Sequence, residues 1–510
     1  MPNSNKLIFK NTIFLYARSV LILLLSLYTS RVLLHTLGVE DYGLYNVIAG
    51  FVAMFGFLNS AMVNSIQRFM NFALGKNDDR YFTEVFESSI LIQFIVAVLI
   101  VVLAETIGLW FVKSKMNIPV GSVYAAYVIY QFAIFTFVIK IIQVPFTSII
   151  VSHERMSFFA LQGILEAVLL LLIIYIVSVL PGEVLISYAV LLFVVTIMIF
   201  ALNVIYAKRV YRRMTFRLMF DELTMKEMMS FTGWNLLGSF SGVLKSQGIN
   251  VLLNMFFNVV VNAARGIAYQ VLSGVMAMIG NFQMSIKPQL IQSYAEGNED
   301  RYFSLVYNGS KITFYLMWIL VLPLILSIDQ VLDLWLGAGS IPEYTAMFTV
   351  LVLLSGLVDS YATTISLAIY AIGNIKWYQI IVSLIIISIL PISYFMLKNG
   401  AAPQSAMYVS LAVSVFAQVI RVVIWRSLIK FPLKDYLQKV ICPTVSVSIL
   451  SYFICRLVSG WMSGVQSDFL YLVLMITLTV VVNCLIILFC GFKASERKSF
   501  YNWAVNKIKG

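Results

Sequence analysis

A chain of 510 residues that is 61% hydrophobic and 11% charged, with a mean hydropathy of +0.92, is excluded from the soluble globular class, where roughly a quarter of residues are charged. Most of its surface has to face lipid. The net charge of +12 does not imply nucleic acid as a partner, because the Lys and Arg residues gather in short loops between apolar runs, where topology signals belong.

The chain opens Met1-Pro2-Asn3-Ser4-Asn5-Lys6 and enters a long apolar run with no small-residue cleavage site, which reads as a first membrane span and not a removable signal. At about 20 apolar residues per span, fourteen spans are expected, near 12–36, 42–66, 85–112, 122–144, 158–180, 184–207, 229–254, 260–286, 306–330, 345–371, 377–397, 403–429, 437–459 and 468–491. The spans at 229–254 and 260–286 are polar and closely joined. With the N-terminus inside, 25 of the 35 Lys and Arg residues fall in the inner loops, the two tails and the span ends beside them, against Lys113, Lys115 and Lys398 outside. That asymmetry puts both termini in the cytoplasm. The outward loops are all short, which leaves little room for an outer active site, so no enzyme is expected.

The loop Asn77-Asp78-Asp79-Arg80-Tyr81-Phe82-Thr83 returns 221 residues later as Asn298-Glu299-Asp300-Arg301-Tyr302-Phe303-Ser304. Ser65-Ile66 and Ser285-Ile286 precede the two copies, with one residue of slippage. An Asn followed by acids ahead of an apolar run caps a helix and complements its dipole. An even number of spans separates the copies, so the halves share one orientation, as in a parallel repeat. The fold expected is an all-α integral membrane protein of about 14 helices, made of two parallel six-helix lobes and an extra C-terminal pair. Residues 1–207 form the N-terminal lobe, 208–228 a basic interfacial linker, 229–429 the C-terminal lobe, 430–491 the extra pair 13–14, and 492–510 a basic cytoplasmic tail. The linker and the tail interleave Lys and Arg with aromatic and aliphatic residues, the pattern of a segment lying on the inner leaflet.

Charges and amides inside the spans are the candidate site. Asn235, Ser239, Gly242, Ser246 and Asn250 make a polar stripe on span 7 with Lys245 beside it, and span 8 continues with Asn262, Arg265, Tyr269, Ser273 and Gln283. Lipid cannot satisfy such a stripe, so it faces water or another helix. Arg18, Arg31, Lys140, Lys245, Arg265, Arg421 and Arg456 stand in the spans against three acids set back from the span edges, Glu105, Glu166 and Asp359. A charge in a span costs at least about 2.5 kcal/mol on the lenient insertion scale, which implies a net positive cavity. For Arg18, Arg31 and Arg456, snorkelling to the headgroups is the competing reading. Asp359 is either a structural counter-ion or a protonatable coupling site. Pro323 and Pro391 are expected to kink spans 9 and 11. The two histidines, His35 and His153, and the four cysteines, Cys442, Cys455, Cys484 and Cys490, have no metal-site or redox spacing. No metal or cofactor is expected; a proton or sodium ion is the candidate for coupling.

The segment Gly38-Val39-Glu40-Asp41-Tyr42-Gly43-Leu44-Tyr45, with its counterpart Asn262-Ala263-Ala264-Arg265-Gly266-Ile267-Ala268-Tyr269, resembles the turn after helix 1 in the polysaccharide-flippase branch (Wzx-type, O-antigen and capsule) of the multidrug/oligosaccharidyl-lipid/polysaccharide exporter superfamily. The resemblance implies flipping of undecaprenyl-pyrophosphate-linked glycan units, as in lipopolysaccharide and capsule assembly, across a bacterial inner membrane. Membrane lipids and other polysaccharide-assembly proteins would be its partners. Arg18, Arg31, Lys245, Arg265, Asn235 and Asn250 are the substrate-binding candidates on this reading. A cationic cavity suits a pyrophosphate. The alternatives are a multidrug antiporter of the same superfamily, whose cationic substrates would favour acids, and a membrane glycosyltransferase or polymerase. Span 1 lacks the acid that the drug-exporting branch uses for coupling.

Overall fold

The computed structural model describes residues 11–492, apart from 23, 26–27, 30–31, 34–35, 38–47, 49–55, 116–122, 182, 212–220, 258, 337–340 and 462–467. The turn motif at 38–45, Arg31, His35, residues 212–220 of the basic linker and the tail from 493 onward lie outside the described residues.

Among the described residues a helix overlaps each of the fourteen expected positions. They are α1 (Asn11–Ile22), α2 (Gly56–Gly75), α3 (Asp79–Leu103), α4 (Val123–Ile142), α5 (Met156–Val177), α6 (Val184–Val210), α7 (Glu222–Phe256), α8 (Val259–Ala295), α9 (Glu299–Leu326) and α10 (Thr345–Ile372). They continue as α11 (Lys376–Lys398), α12 (Ser405–Leu428), α13 (Cys442–Trp461) and α14 (Asp468–Ile486). Of these, α3–α6 and α9–α14 belong to segments that are long and apolar enough to cross a membrane. Many large apolar side chains, such as Phe94, Leu161, Trp377 and Phe489, stand exposed on them. Outside lipid that surface would be prohibitive. The chain is a multi-pass membrane protein.

The chain divides into two compact units, Met1–Phe240 with Met284–Asn298, and Ser241–Gln283 with Glu299–Gly510. In the first, α4 packs on α6 and α3 around a core of Ala126, Ile129, Tyr130, Ile173 and Tyr188. The Tyr130 hydroxyl donates to the Ala104 carbonyl at 2.7 Å, beside a π-helical turn, Ala104–Gly108. In the second, α10 packs most extensively on α12 and then on α9. Its core includes Ile249, Ala264, Phe348, Ile389 and Met407. Helix α9 runs on through Pro323 and ends three residues later. The break in α11 falls at Ser388, three residues before Pro391, whose ring removes one hydrogen bond and crowds the preceding turn.

The duplicated motif sits where α2 turns into α3 and where α8 turns into α9, but its structural register is 220 and not 221. Buried positions match at 220 without exception from 61–70 to 281–290. Phe82, Val85 and Phe86 are buried in α3 where Tyr302, Leu305 and Val306 are buried in α9. The two turns also share hydrogen bonds: the Asp78 N–H donates to the Ala73 carbonyl at 3.0 Å, and the Asn298 N–H to the Ser293 carbonyl at 3.0 Å. Left-handed backbone therefore falls on Asn77 (φ 54°) in one copy and Gly297 (φ 74°) in the other, as a helix C-terminal turn requires. The α3 cap is Asp78, whose carboxylate accepts from the Tyr81 N–H at 2.9 Å, one residue later than Asn77. Helix periodicity fixes the burial pattern, while the identical letters sit one position off it.

Candidate functional site

Within the second unit, the polar stripe of α7 meets polar positions on α10 and α12. Lys245 Nζ lies 3.3 Å from Asp359 Oδ2 and donates to Ser414 Oγ at 3.1 Å. Ser414 belongs to a buried file on α12, with Ser410, Gln418 and Arg421, spaced at three and four residues so that they share one face. Lys245 and Asp359 each keep partial access to solvent, at 19% and 32% of the side chain.

Arg265 of α8 is held differently. Its Nη1 donates to Asn250 Oδ1 and its Nη2 to the Ser246 carbonyl at 2.8 Å. Its guanidinium carbon stands 4.2 Å from the Tyr269 ring centre, one turn along. All of these partners are neutral, and Nε is buried without one. Guanidinium over a phenol ring with one edge unused is an arrangement that accepts an anion. Further along α8, Gln283 Nε2 donates to Thr313 and Thr364 hydroxyls at 2.6 and 2.9 Å.

In the first unit, Arg18 of α1 lies across α5. Its guanidinium carbon is 4.6 Å from the Phe159 ring centre, and a Cβ at Gly163 would meet Arg18 Nε at 2.3 Å. Gly163 thus makes room for the side chain, one helical turn from Glu166. Arg18 is docked on protein, which disfavours snorkelling as its sole role. Asn235 is buried on α7 and donates to the Ala61 carbonyl at 3.3 Å. Lys140 and Glu166 approach to 3.8 Å, with the lysine half exposed. Arg456 is exposed on α13.

The structure thus brings Lys245 together with Asp359, and Arg265 with Asn250. Arg18 and Asn235 belong to the other unit, and Arg31 lies outside the described residues. Three cations that the charge count assigns to the cytoplasmic loops and the span ends beside them are buried instead: Arg68, Lys287 and Lys311. Lys287 Nζ donates to Asn64 Oδ1 at 2.8 Å and Gln67 Oε1 at 2.9 Å, both neutral. Arg68 stacks on Phe69, Phe72 and Phe231. The signal for Lys287 was present in the repeat, since Ser285-Ile286-Lys287 matches Ser65-Ile66-Gln67 within a helix. Treating the span as ended at 286 hid it.

At the turn between the short helix Val144–Ser152 and α5, burial pushes the His153 imidazole pKa below its ordinary value. A hydrogen bond to the Ile149 carbonyl and Asp79 oppose that shift, and Arg155 adds to it. The ring sits edge-on to Phe82 at 5.4 Å.

No protein-family model matches the chain, and no curated protein does. Solved structures do match. An outward-facing multidrug resistance MATE family transporter of the MOP superfamily superposes with a TM-score of 0.71 at 12% identity, over 84% of this chain and 97% of that one. The chain has the MATE transporter fold. A MATE structure in the bent conformation gives 0.70 at 14% identity over 83% and 95%. A MOP superfamily transporter from Pyrococcus furiosus, described as having a binding pocket of reverse polarity, gives 0.69 at 13% identity over 83% and 95%.

Proposed function

We propose that this chain is a transporter that moves an amphipathic anion across the membrane by alternating access, and that the substrate is a lipid-linked oligosaccharide carried on a polyprenyl pyrophosphate. One observation carries the reading. Among the described residues the buried charged side chains are Arg68, Arg265, Lys287, Lys311 and Arg421 against a single acid, Glu87. Burying more cations than acids is costly in a membrane, and a substrate that brings negative charge offsets that cost. Arg265 is the residue proposed to meet the phosphate, because its neighbours leave its charge uncompensated. Lys245, already paired with Asp359, is proposed to position that region, with Asp359 as a fixed counter-ion.

Multidrug export is the second reading, and the fold likeness to multidrug MATE transporters favours it over flipping. The Pyrococcus furiosus relative in fold supports the idea that this scaffold admits pockets of opposite polarity. The test uses the full chain in proteoliposomes, with two substrates measured side by side. A fluorescent short-chain polyprenyl-pyrophosphate oligosaccharide should cross the bilayer, as read by loss of dithionite protection, and Arg265→Gln should abolish the crossing. Extrusion of a cationic dye under a proton or sodium gradient, with no crossing of the labelled lipid, would overturn the anionic reading in favour of drug export.

A further inference from the structure

Lys287 lies near the end of α8, where the chain has passed at Met284 from the second unit into the first, and nothing in the site above uses it. Pro288 follows it and removes one backbone hydrogen bond from the helix, the one that would have run to the Met284 carbonyl. This end of α8 crosses α2 so that positions related by the 220 register touch. Lys287 meets Gln67 at 2.9 Å, and a Cβ at Gly75 would meet that of Ala295 at 2.7 Å. The crossing is polar. Asn64, Gln67 and Asn71 recur on one face of α2 at three- and four-residue steps. Gln292 Nε2 donates to Asn71 Oδ1 at 3.5 Å and to the Ser152 carbonyl at 3.2 Å. When such a seam parts, water replaces its bonds, an exchange that an apolar core does not have.

The two bonds from Lys287 Nζ to Asn64 and Gln67 account for both N–H groups of an uncharged amine. An ammonium carries a third, which would be buried with no acceptor, on a charge that no acid offsets. No ionisable neighbour acts on Lys287 electrostatically. On α2, Arg68 stacks on phenylalanine rings, and Tyr81 of α3, Glu227 of α7 and Tyr294 of α8 are its own ionisable surroundings. Leading into α5, Glu154 accepts from Gln289 Nε2 at 3.0 Å, His153 sits edge-on to Phe82 and Arg155 is exposed. Helix α1, whose Thr12 hydroxyl lies 2.8 Å from that of Ser285, carries Tyr16 and Arg18, the latter over Phe159. We propose that Lys287 is a proton-binding site that latches α2 to α8, uncharged while the seam is closed, as here, and protonated when the seam parts. The proton comes from water on the side that the loop charges assign to the cytoplasm, and it returns there on closing. Acid therefore favours the parted seam, since the state that binds more protons gains as pH falls. The inference rests on the alternating-access part of the proposed function and not on the substrate. The excess of buried cations over Glu87 stands with Lys287 uncharged.

The test is the distance between the ends of α2 and α8 in the full chain, reconstituted in nanodiscs without substrate. Lys76 and Glu296 are exposed and equivalent at the 220 register. Spin labels go on Lys76→Cys and Glu296→Cys after Cys442, Cys455, Cys484 and Cys490 are replaced by alanine. Double electron–electron resonance is read from about pH 9 to 6, a range in which carboxylates stay ionised. The expected result is one short distance at high pH and a longer population that grows several-fold as pH falls. Lys287→Met should hold the short distance at every pH, and Lys287→Arg, charged throughout, the longer one. Gln67→Glu gives the ammonium a carboxylate and should keep the seam closed at low pH; it stands in should Lys287→Met fail to insert. Distances that ignore pH with Lys287 in place would overturn the proposal. So would a response that survives whole in Lys287→Met or Gln67→Glu, which would move the titration to His153, or a short distance throughout in Lys287→Arg. Because no substrate is present, a negative flipping assay leaves this measurement decisive, and the reverse holds.

Discussion

Replacing Asp359 with Asn keeps the shape of the side chain and removes its charge, leaving Lys245 with only the Ser414 hydroxyl at 3.1 Å. At the observed 3.3 Å, the Coulomb attraction is about 5 kcal/mol for an effective dielectric of 20 and about 1 kcal/mol in bulk water. Both side chains keep some solvent access, so the net loss falls between the exposed-pair value, below about 1 kcal/mol, and the 3–5 kcal/mol for stranding a buried charge. A destabilisation of about 1–3 kcal/mol is expected for Asp359→Asn and a similar one for Lys245→Gln. The double variant should lose less than the sum by about 1–2 kcal/mol, because a fixed pair is broken only once. Equilibrium unfolding in mixed micelles measures all four proteins. The same four in proteoliposomes report transport with and without a proton gradient. If the single losses simply add, and transport by Asp359→Asn no longer responds to the gradient while stability is unchanged, Asp359 is a titrating coupling residue and the fixed-pair reasoning fails.

Gly75 packs against the end of α8, where an added Cβ would meet the Gln292 carbonyl oxygen at 2.5 Å and Ala295 Cβ at 2.7 Å. Gly75→Ala should therefore cost about 1–3 kcal/mol, as overpacking does, read by the same unfolding assay, while Gly297→Ala is opposed only by its left-handed backbone. Because the folded pKa of His153 is depressed, its neutral form contributes stability that is present above about pH 6.5 and lost as pH falls through the folded value. His153→Gln should flatten the unfolding midpoint between pH 7.5 and 5 relative to the unaltered chain. Cysteines introduced at Asn77 and Asn298 should react with impermeant maleimide only after the cell is permeabilised; labelling from outside would invert the topology read from the loop charges.

The sequence by itself determined the class, the number of helices and the existence of two related halves, since a bilayer forces backbone satisfaction within each apolar segment and so makes span length and apolarity nearly sufficient signals. It also flagged Lys245, Arg265 and Asp359, because charge inside a span is conspicuous. What it could not supply was pairing. Lys245 and Asp359 are 114 residues apart and meet only because α7, α10 and α12 pack in one unit. The identical letters at an offset of 221 suggested one register, and burial imposed 220, since the face of a helix is set by its period and not by which residues happen to match. Lys287 looked like a loop charge because sequence cannot tell where α8 stops. The helix runs on to Ala295, and only its packing against α2 turns that lysine into a buried group between two amides.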